Sequence, residues 1–169
     1  MHRALTAIDV RPLRHTDRDE VLEALRASRV FSEEELRVAL EVIDAGLETG
    51  LDGDYPLFVA AVDGHVRGYV CVGKTPLTRG TWHLYWICVH PDSQGLGIGQ
   101  RLQHEAERFV QARGGERILL ETSSTPGYSA ARAFYERAGY AVVGRVTDFY
   151  RPGDDCVMYC KVFPSQAQS

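Results

Sequence analysis

Apolar residues along this chain follow two kinds of spacing. Near the N-terminus the spacing is helical. Leu36, Leu40, Ile43 and Leu47 step by four, three and four, which places them on one face of a helix. Ser32 and Glu35 precede them at the separation of a capping box. Val21, Leu22 and Leu25 make the stripe of an earlier helix. Thr16 is placed to cap it, and Asp17, Asp19 and Glu20 fall in its first turn, where carboxylates suit the helix dipole. Before these, "ALTAIDVRPL" (4–13) reads as a strand, and after them "TGLDGDYP" (49–56) reads as a loop.

From residue 57 the apolar residues crowd into short runs. "LFVAAV" (57–62) and "HVRGYVCVG" (65–73) are strands joined by Asp63-Gly64, a tight-turn signal. "TWHLYWICV" (81–89) is a long strand of aromatic and branched residues. Ile98, Leu102, Ala106, Phe109 and Val110 return to helical spacing, and Gly114-Gly115 ends that helix. "RILLETS" (117–123) is a strand, and Ser129 caps a short helix through Ala138. "YAVVGRVTDFY" and "CVMYCKVF" are the last strands, turning through Pro152-Gly153 at the centre of a type II turn. This order predicts one α/β domain over residues 1–163, with a frayed tail over 164–169. Its mixed central sheet should have about seven strands, flanked by about four helices. The early hairpin is antiparallel, and 81–123 is a parallel right-handed crossover.

Composition narrows the partners. With 169 residues the chain can bury a real core, and 44% apolar with 25% charged residues suits a globular protein. The net charge of −4, with no lysine or arginine run, argues against nucleic acid. No apolar run approaches the ~18 residues of a membrane span. "MHRALTAIDV" is too short and polar for a signal peptide, which points to the cytoplasm and to no membrane partner. Cys71, Cys88, Cys156 and Cys160 form no C-x-x-C pair and have no histidine at ligand spacing. They read as reduced, mostly buried thiols, with no metal site.

One stretch asks for chemistry. In "VHPDSQGLGIGQR" (89–101), Gly95, Gly97 and Gly99 alternate just before a helix. A helix start leaves amides unpaired and binds anions, and glycine lets a large anion approach without meeting a Cβ. Gly99 is followed by Gln100 and Arg101, not by Lys and Ser or Thr, which excludes the Walker loop. The G-x-G-x-G spacing, mid-chain, also departs from the dinucleotide fingerprint.

These residues resemble the acetyl-CoA signature of the GCN5-related N-acetyltransferases (GNAT), Q/R-x-x-G-x-G/A, with Gln94, Gly97 and Gly99 in its fixed places. "ARAFYERAGY" resembles the family's second motif, and the strand order matches over about residues 5 to 163. The resemblance implies an acetyl-CoA-dependent N-acetyltransferase that acylates a primary amine by direct attack in a ternary complex. The amides from Gly95 through Leu96, Gly97, Ile98 and Gly99 to Gln100 would hold the pyrophosphate. The backbone of Cys88 and Val89 would pair with the pantetheine arm. Gln94, Arg101, Ala131 and Phe134 complete the implied cofactor contacts.

The resemblance makes Tyr135 the general acid, beside the thioester sulfur. Two residues compete as base: Glu121, the only charge within "ILLETS" and expected to be buried, and His83, on one strand face with Tyr85, Ile87 and Val89. Water alone is the third possibility. Tyr128 stands where the family often has asparagine, so Ser123, Ser124 or Ser129 is expected to order that loop. The acceptor groove would lie between residues 28–33 and the last hairpin. There Asp148, Asp154 and Asp155 would favour a cationic amine, a peptide or a small molecule, and Trp82, Tyr85 and Trp86 could line a pocket. A homodimer is among the arrangements the family adopts. The competing class is a non-catalytic acyl-CoA sensor, against which Tyr135 in its motif counts.

Overall fold

The computed structural model describes residues 7–165. Its elements run β1 (Ile8–Pro12), α1 (Arg18–Ser28), α2 (Glu33–Thr49), β2 (Leu57–Val62), β3 (His65–Lys74), β4 (Thr81–Val89), α3 (Ile98–Ala112), β5 (Arg117–Ser123), α4 (Ser129–Arg137), β6 (Ala141–Arg151) and β7 (Asp154–Val162). The seven strands form one sheet in the order β1-β2-β3-β4-β5-β7-β6. β4 and β5 are parallel, whereas β1–β2, β2–β3, β5–β7 and β6–β7 are antiparallel, so the sheet is mixed as expected. Residues 4–6 of the predicted first strand and 166–169 of the predicted tail lie outside the described residues.

Two compact units share β4. The first holds the chain up to Gly73 together with Trp86–Ala106. In it, Val21 and Leu25 of α1 and Leu36, Ala39 and Ile43 of α2 pack with Leu57, Val59, Tyr69 and Cys71 of the sheet. Ser32 caps α2 as its spacing predicted: its Oγ accepts from the Glu35 amide at 3.2 Å, and Glu35 accepts from the Ser32 amide at 2.7 Å. The start of α1 differs from the prediction. Thr16 sits inside a 3-10 turn, His15–Asp17, and does not cap. Asp17 organises the turn, its buried carboxylate accepting from the Arg14 amide at 2.8 Å and from the Arg11 guanidinium at 2.7 and 2.9 Å. Asp63 and Gly64 have φ of +51° and +83°, the left-handed pair of a tight hairpin turn.

One glycine seats the start of α3. A Cβ on Gly68 would stand 2.8 Å from the Cys88 carbonyl, 3.0 Å from Leu102 and 3.1 Å from Ile98. Arg67, beside it, is skipped in the β2–β3 register. The helix therefore lies directly on bare backbone.

The second unit holds Lys74–Tyr85 and the chain from Glu107 onward. Trp82 packs edge-on against Phe109, with ring centroids 5.9 Å apart. Ile118, Leu120, Tyr135, Tyr140, Val157 and Tyr159 are buried there. Ser129 does not cap α4: it is the first helical residue, and its Oγ donates to the Pro126 carbonyl at 2.8 Å. Gly153, at φ +82°, fits the predicted turn between β6 and β7. All four cysteines are free thiols, three of them buried.

The seat at Gly68 is testable. Gly68→Ala is expected to lower stability by about 1–3 kcal/mol, because the nearest neighbour is backbone and cannot yield as a side chain would. Urea unfolding measures this, and an unchanged midpoint would show that the helix has room to lift.

Candidate active site

The loop before α3 leaves amides without partners among the described residues. After β4 the His90 amide donates to the Arg67 carbonyl at 2.7 Å, and a 3-10 turn, Pro91–Ser93, follows. The Gln94 amide closes that turn on the Pro91 carbonyl at 3.3 Å. The chain then passes through Gly95 and Gly97, both left-handed at φ +79° and +81°. Where a Cβ on Gly95 would stand, no protein atom lies within 4 Å; at Gly97 only Gln100 Oε1 comes as near as 4.0 Å. Gly99 is already inside α3 and has no positive φ. The first two glycines thus answer to backbone conformation, and the space beside them is open.

Gly97 also starts α3: its carbonyl accepts the first helical bond, from the Arg101 amide at 3.2 Å. A residue in that place normally lends a side-chain oxygen to the second or third helical amide, and glycine has none. No acidic residue stands in the first turn. The amides of Ile98, Gly99 and Gln100 therefore face outward with partial positive charge, an arrangement that fits a pyrophosphate. Ile98 is buried, while Gln94, Leu96 and Gln100 are exposed. Arg101 donates through Nη1 to the Ile8 carbonyl at 3.1 Å, so it ties α3 to β1.

β4 is only partly paired with β5. The ladder joins Thr81–His83 to Arg117–Leu119; from Leu84 to Val89, β4 has no β5 partner among the described residues. Cys88 and Val89 lie in that stretch. The Cys88 thiol turns away to the Ala24 carbonyl, 3.7 Å distant.

In the second unit, α4 presents Tyr135 to an aromatic cluster. Its ring centroid lies 5.6 Å from Phe134, 6.1 Å from Tyr140 and 6.0 Å from Tyr159. Burial, and then Tyr128, push its phenol well above the ordinary tyrosine range, so it stays protonated. Its hydroxyl has no hydrogen-bond partner among the described residues. Ala131, Arg132 and Phe134 of the same helix are half-buried.

The two candidate bases differ from expectation and from each other. Glu121 is exposed, not buried: β5 buries Ile118, Leu120 and Thr122, and Glu121 points the other way. The buried carboxylate expected at this position is not found. Its charge instead helps raise the Tyr150 hydroxyl and the Cys156 thiol, in both of which burial is the larger cause. His83 is half-buried, its Nδ1 2.9 Å from Thr75 Oγ1 and its ring stacked on Tyr85 at 5.8 Å and 11°. The aromatic residues of β4 do not form one wall: Trp82 meets Phe109, Trp86 meets Phe31, and Tyr85 is 41% exposed.

The loop before α4 is held by Ser123 and Ser124, two of the three serines expected to order it, and by Arg132, which sequence reasoning missed. Arg132 Nη1 donates to the carbonyls of Ser123 (2.6 Å) and Thr125 (2.9 Å). Ser123 Oγ donates to buried Asp154 at 2.5 Å, and Ser124 Oγ accepts from the Asp155 amide at 2.9 Å. The hairpin aspartates are correspondingly committed. Asp155 pairs with Arg145 at 2.6 Å, and Asp148 Oδ1 accepts from the Gly153 amide at 2.7 Å. The negative charge expected near the groove mouth is thus held in hydrogen bonds and ion pairs within the hairpin. Arg132 stood in view within "ARAFYERAGY", but its acceptors are backbone carbonyls, which no residue pattern marks.

Comparison with known proteins agrees with this geometry. The acetyltransferase (GNAT) family model matches residues 18–140. An uncharacterised N-acetyltransferase of Methanocaldococcus jannaschii is 28% identical over 148 residues, spanning 81% of this chain and 92% of its own. A crystal structure from Desulfovibrio desulfuricans, described as a GNAT-family acetyltransferase, has a TM-score of 0.88 at 36% identity and covers 92% of this chain and 99% of that one. PaiA N-acetyltransferase of Thermoplasma acidophilum, solved with coenzyme A, shares the fold with a TM-score of 0.73 at 20% identity, over 93% and 99% of the two chains. With its bare helix start, its glycine turn and this kinship together, the chain belongs to the GNAT family, as an acyltransferase whose co-substrate is acetyl-CoA.

Proposed function

We propose that the chain transfers the acetyl group of acetyl-CoA to a primary amine by direct attack in a ternary complex. The observation that carries this reading is Tyr135, a phenol kept protonated by burial, with no hydrogen-bond partner for its hydroxyl among the described residues. The amides from Gly95 to Gln100 hold the pyrophosphate, and the free edge of β4 at Cys88 and Val89 receives the pantetheine arm. Acetyl-CoA supplies the activated acyl group. Binding both reactants in register provides a large share of the rate.

The protons then need carriers. The amine nitrogen forms its bond to the carbonyl carbon, and the carbon–sulfur bond breaks. The sulfur takes the proton of Tyr135, and the departing thiolate meets the same desolvation that holds the phenol protonated. The proton on the new ammonium leaves to a base, and exchange with solvent resets both groups. We assign the base to His83 rather than Glu121. In the tautomer whose Nδ1–H donates to Thr75 Oγ1, 2.9 Å away, the lone pair on Nε2 is the one left to accept a proton.

Tyr135→Phe is expected to lower kcat by about 10²-fold, the usual scale of one acid–base partner, with little change in CoA affinity. An unchanged kcat would remove Tyr135 from the mechanism. His83→Ala is expected to abolish the limb of the pH–rate profile that reports the base, while Glu121→Gln leaves it in place. A limb that survives both substitutions would assign the proton to water.

The acceptor class is tested by thiol release from acetyl-CoA against peptides with different first residues, polyamines, aminoglycosides and amino acids. Turnover is expected with at least one primary amine and not with its dimethylated counterpart. Silence across the whole set, with CoA binding intact, would overturn the reading.

A further inference from the structure

Helix α4 spans nine residues, Ser129–Arg137, of which only Tyr135 is buried. A helix this short does not hold itself in water, so its position must come from outside. Three struts reach it within the second unit. Arg132 fixes its first half to the end of β5, and Tyr159 donates to Glu136 at 3.0 Å. The third strut is charged. Lys161 of β7 donates through Nζ to the Ala138 carbonyl, just past the last turn, and to Glu107 Oε2 of α3, each at 2.8 Å.

Glu107 extends that strut to the aromatic cluster. It is 8% exposed, and its Oε1 accepts from the Tyr140 hydroxyl at 3.3 Å. Tyr140 in turn meets Tyr135 twice: its amide donates to the Tyr135 carbonyl at 3.0 Å, and its ring stands edge-on to the Tyr135 ring. Between the two tyrosines the chain reverses through Gly139 at φ +93°. Both the backbone and the ring of Tyr135 are thus referred, through one intermediate, to the Lys161–Glu107 pair.

A partly buried ion pair is not a cheap way to stabilise a fold, because desolvation consumes part of the attraction; the Lys161 side chain here is 28% exposed and that of Glu107 10%. An apolar pair of similar volume would pack as well but would leave the Ala138 carbonyl and the Tyr140 hydroxyl without these partners. What the charged pair adds is direction. We propose that Lys161 and Glu107 are positioning residues for the transfer step, fixing where the Tyr135 hydroxyl stands. The inference rests on Tyr135 acting as the acid.

The test reads position as well as rate, in the full-length protein. Tyr135 is replaced site-specifically by 3-fluorotyrosine and its fluorine resonance is recorded without CoA. One narrow line is expected, broadened or split by Glu107→Gln with Lys161→Met, a neutral pair that strands no buried charge. Calorimetry with CoA is expected to give a Kd within about twofold of the parent, while kcat for the most active amine of the panel falls about tenfold. In a Tyr135→Phe background the same two substitutions should change kcat by less than about twofold. Tyr140→Phe, which removes only one hydroxyl, provides the same readouts if the double variant does not fold. A narrow line and an unchanged kcat would overturn the proposal. So would an equal loss with and without the Tyr135 hydroxyl, which marks a merely structural pair. If Tyr135→Phe by itself leaves kcat intact, the acid assignment fails first and takes the positioning role with it.

Discussion

The structure depends on a helix that cannot finish itself. α2 closes its own N-terminus with Ser32 and Glu35, and the turn into α1 is closed by Asp17. α3 begins at Gly97, which offers no side chain, and no carboxylate follows in its first turn. Its leading amides are satisfied by solvent or by an anion, and the left-handed turn through Gly95 keeps Cβ atoms out of the way. Gly68 then allows the first turns of the helix to rest on the β3 backbone. Three bare positions on two elements therefore serve one end: amides held still and left available.

Much of this was legible because it is local. The periodicities of α2 and α3, the Asp63-Gly64 turn and the bounds of β2, β4 and β5 follow from neighbouring residues, and the structure keeps them. The glycines announced their loop by spacing alone. The burial of Glu121 was misjudged although the signal was present. Strand alternation sets Arg117, Leu119 and Glu121 together against Ile118, Leu120 and Thr122, and the apolar neighbours of Glu121 obscured that. Other features were out of reach. Asp154 finds Ser123 and Lys161 finds Glu107 across long separations, and no local pattern announces either.

The hairpin shows what its aspartates are bonded to. Three aspartates within eight positions look like a cation trap. Two of them instead satisfy backbone amides, through the Gly153 and Asp148 N–H groups, and Asp155 also holds Arg145. Asp154 is buried under Ser123. The charge is committed to holding β6, β7 and the end of β5 in register. Beside them on β6, the exposed rings of Phe149 and Tyr150 stand edge-on at 4.9 Å.

The direction of one sulfur has a chemical consequence. A protein that handles a thioester risks exchanging it with its own thiols, and only a thiolate attacks at a useful rate. Cys88 lies in the part of β4 that has no β5 partner among the described residues. Yet its Sγ is turned to the Ala24 carbonyl, and burial, only partly offset by Ser28, pushes its thiol up to about 12. Cys71 in the same core is pushed up by burial as well. Cells that hold millimolar glutathione face the same trans-thioesterification hazard in solution. Here the inward turn and the raised thiol leave Cys88 with little thiolate for such an exchange.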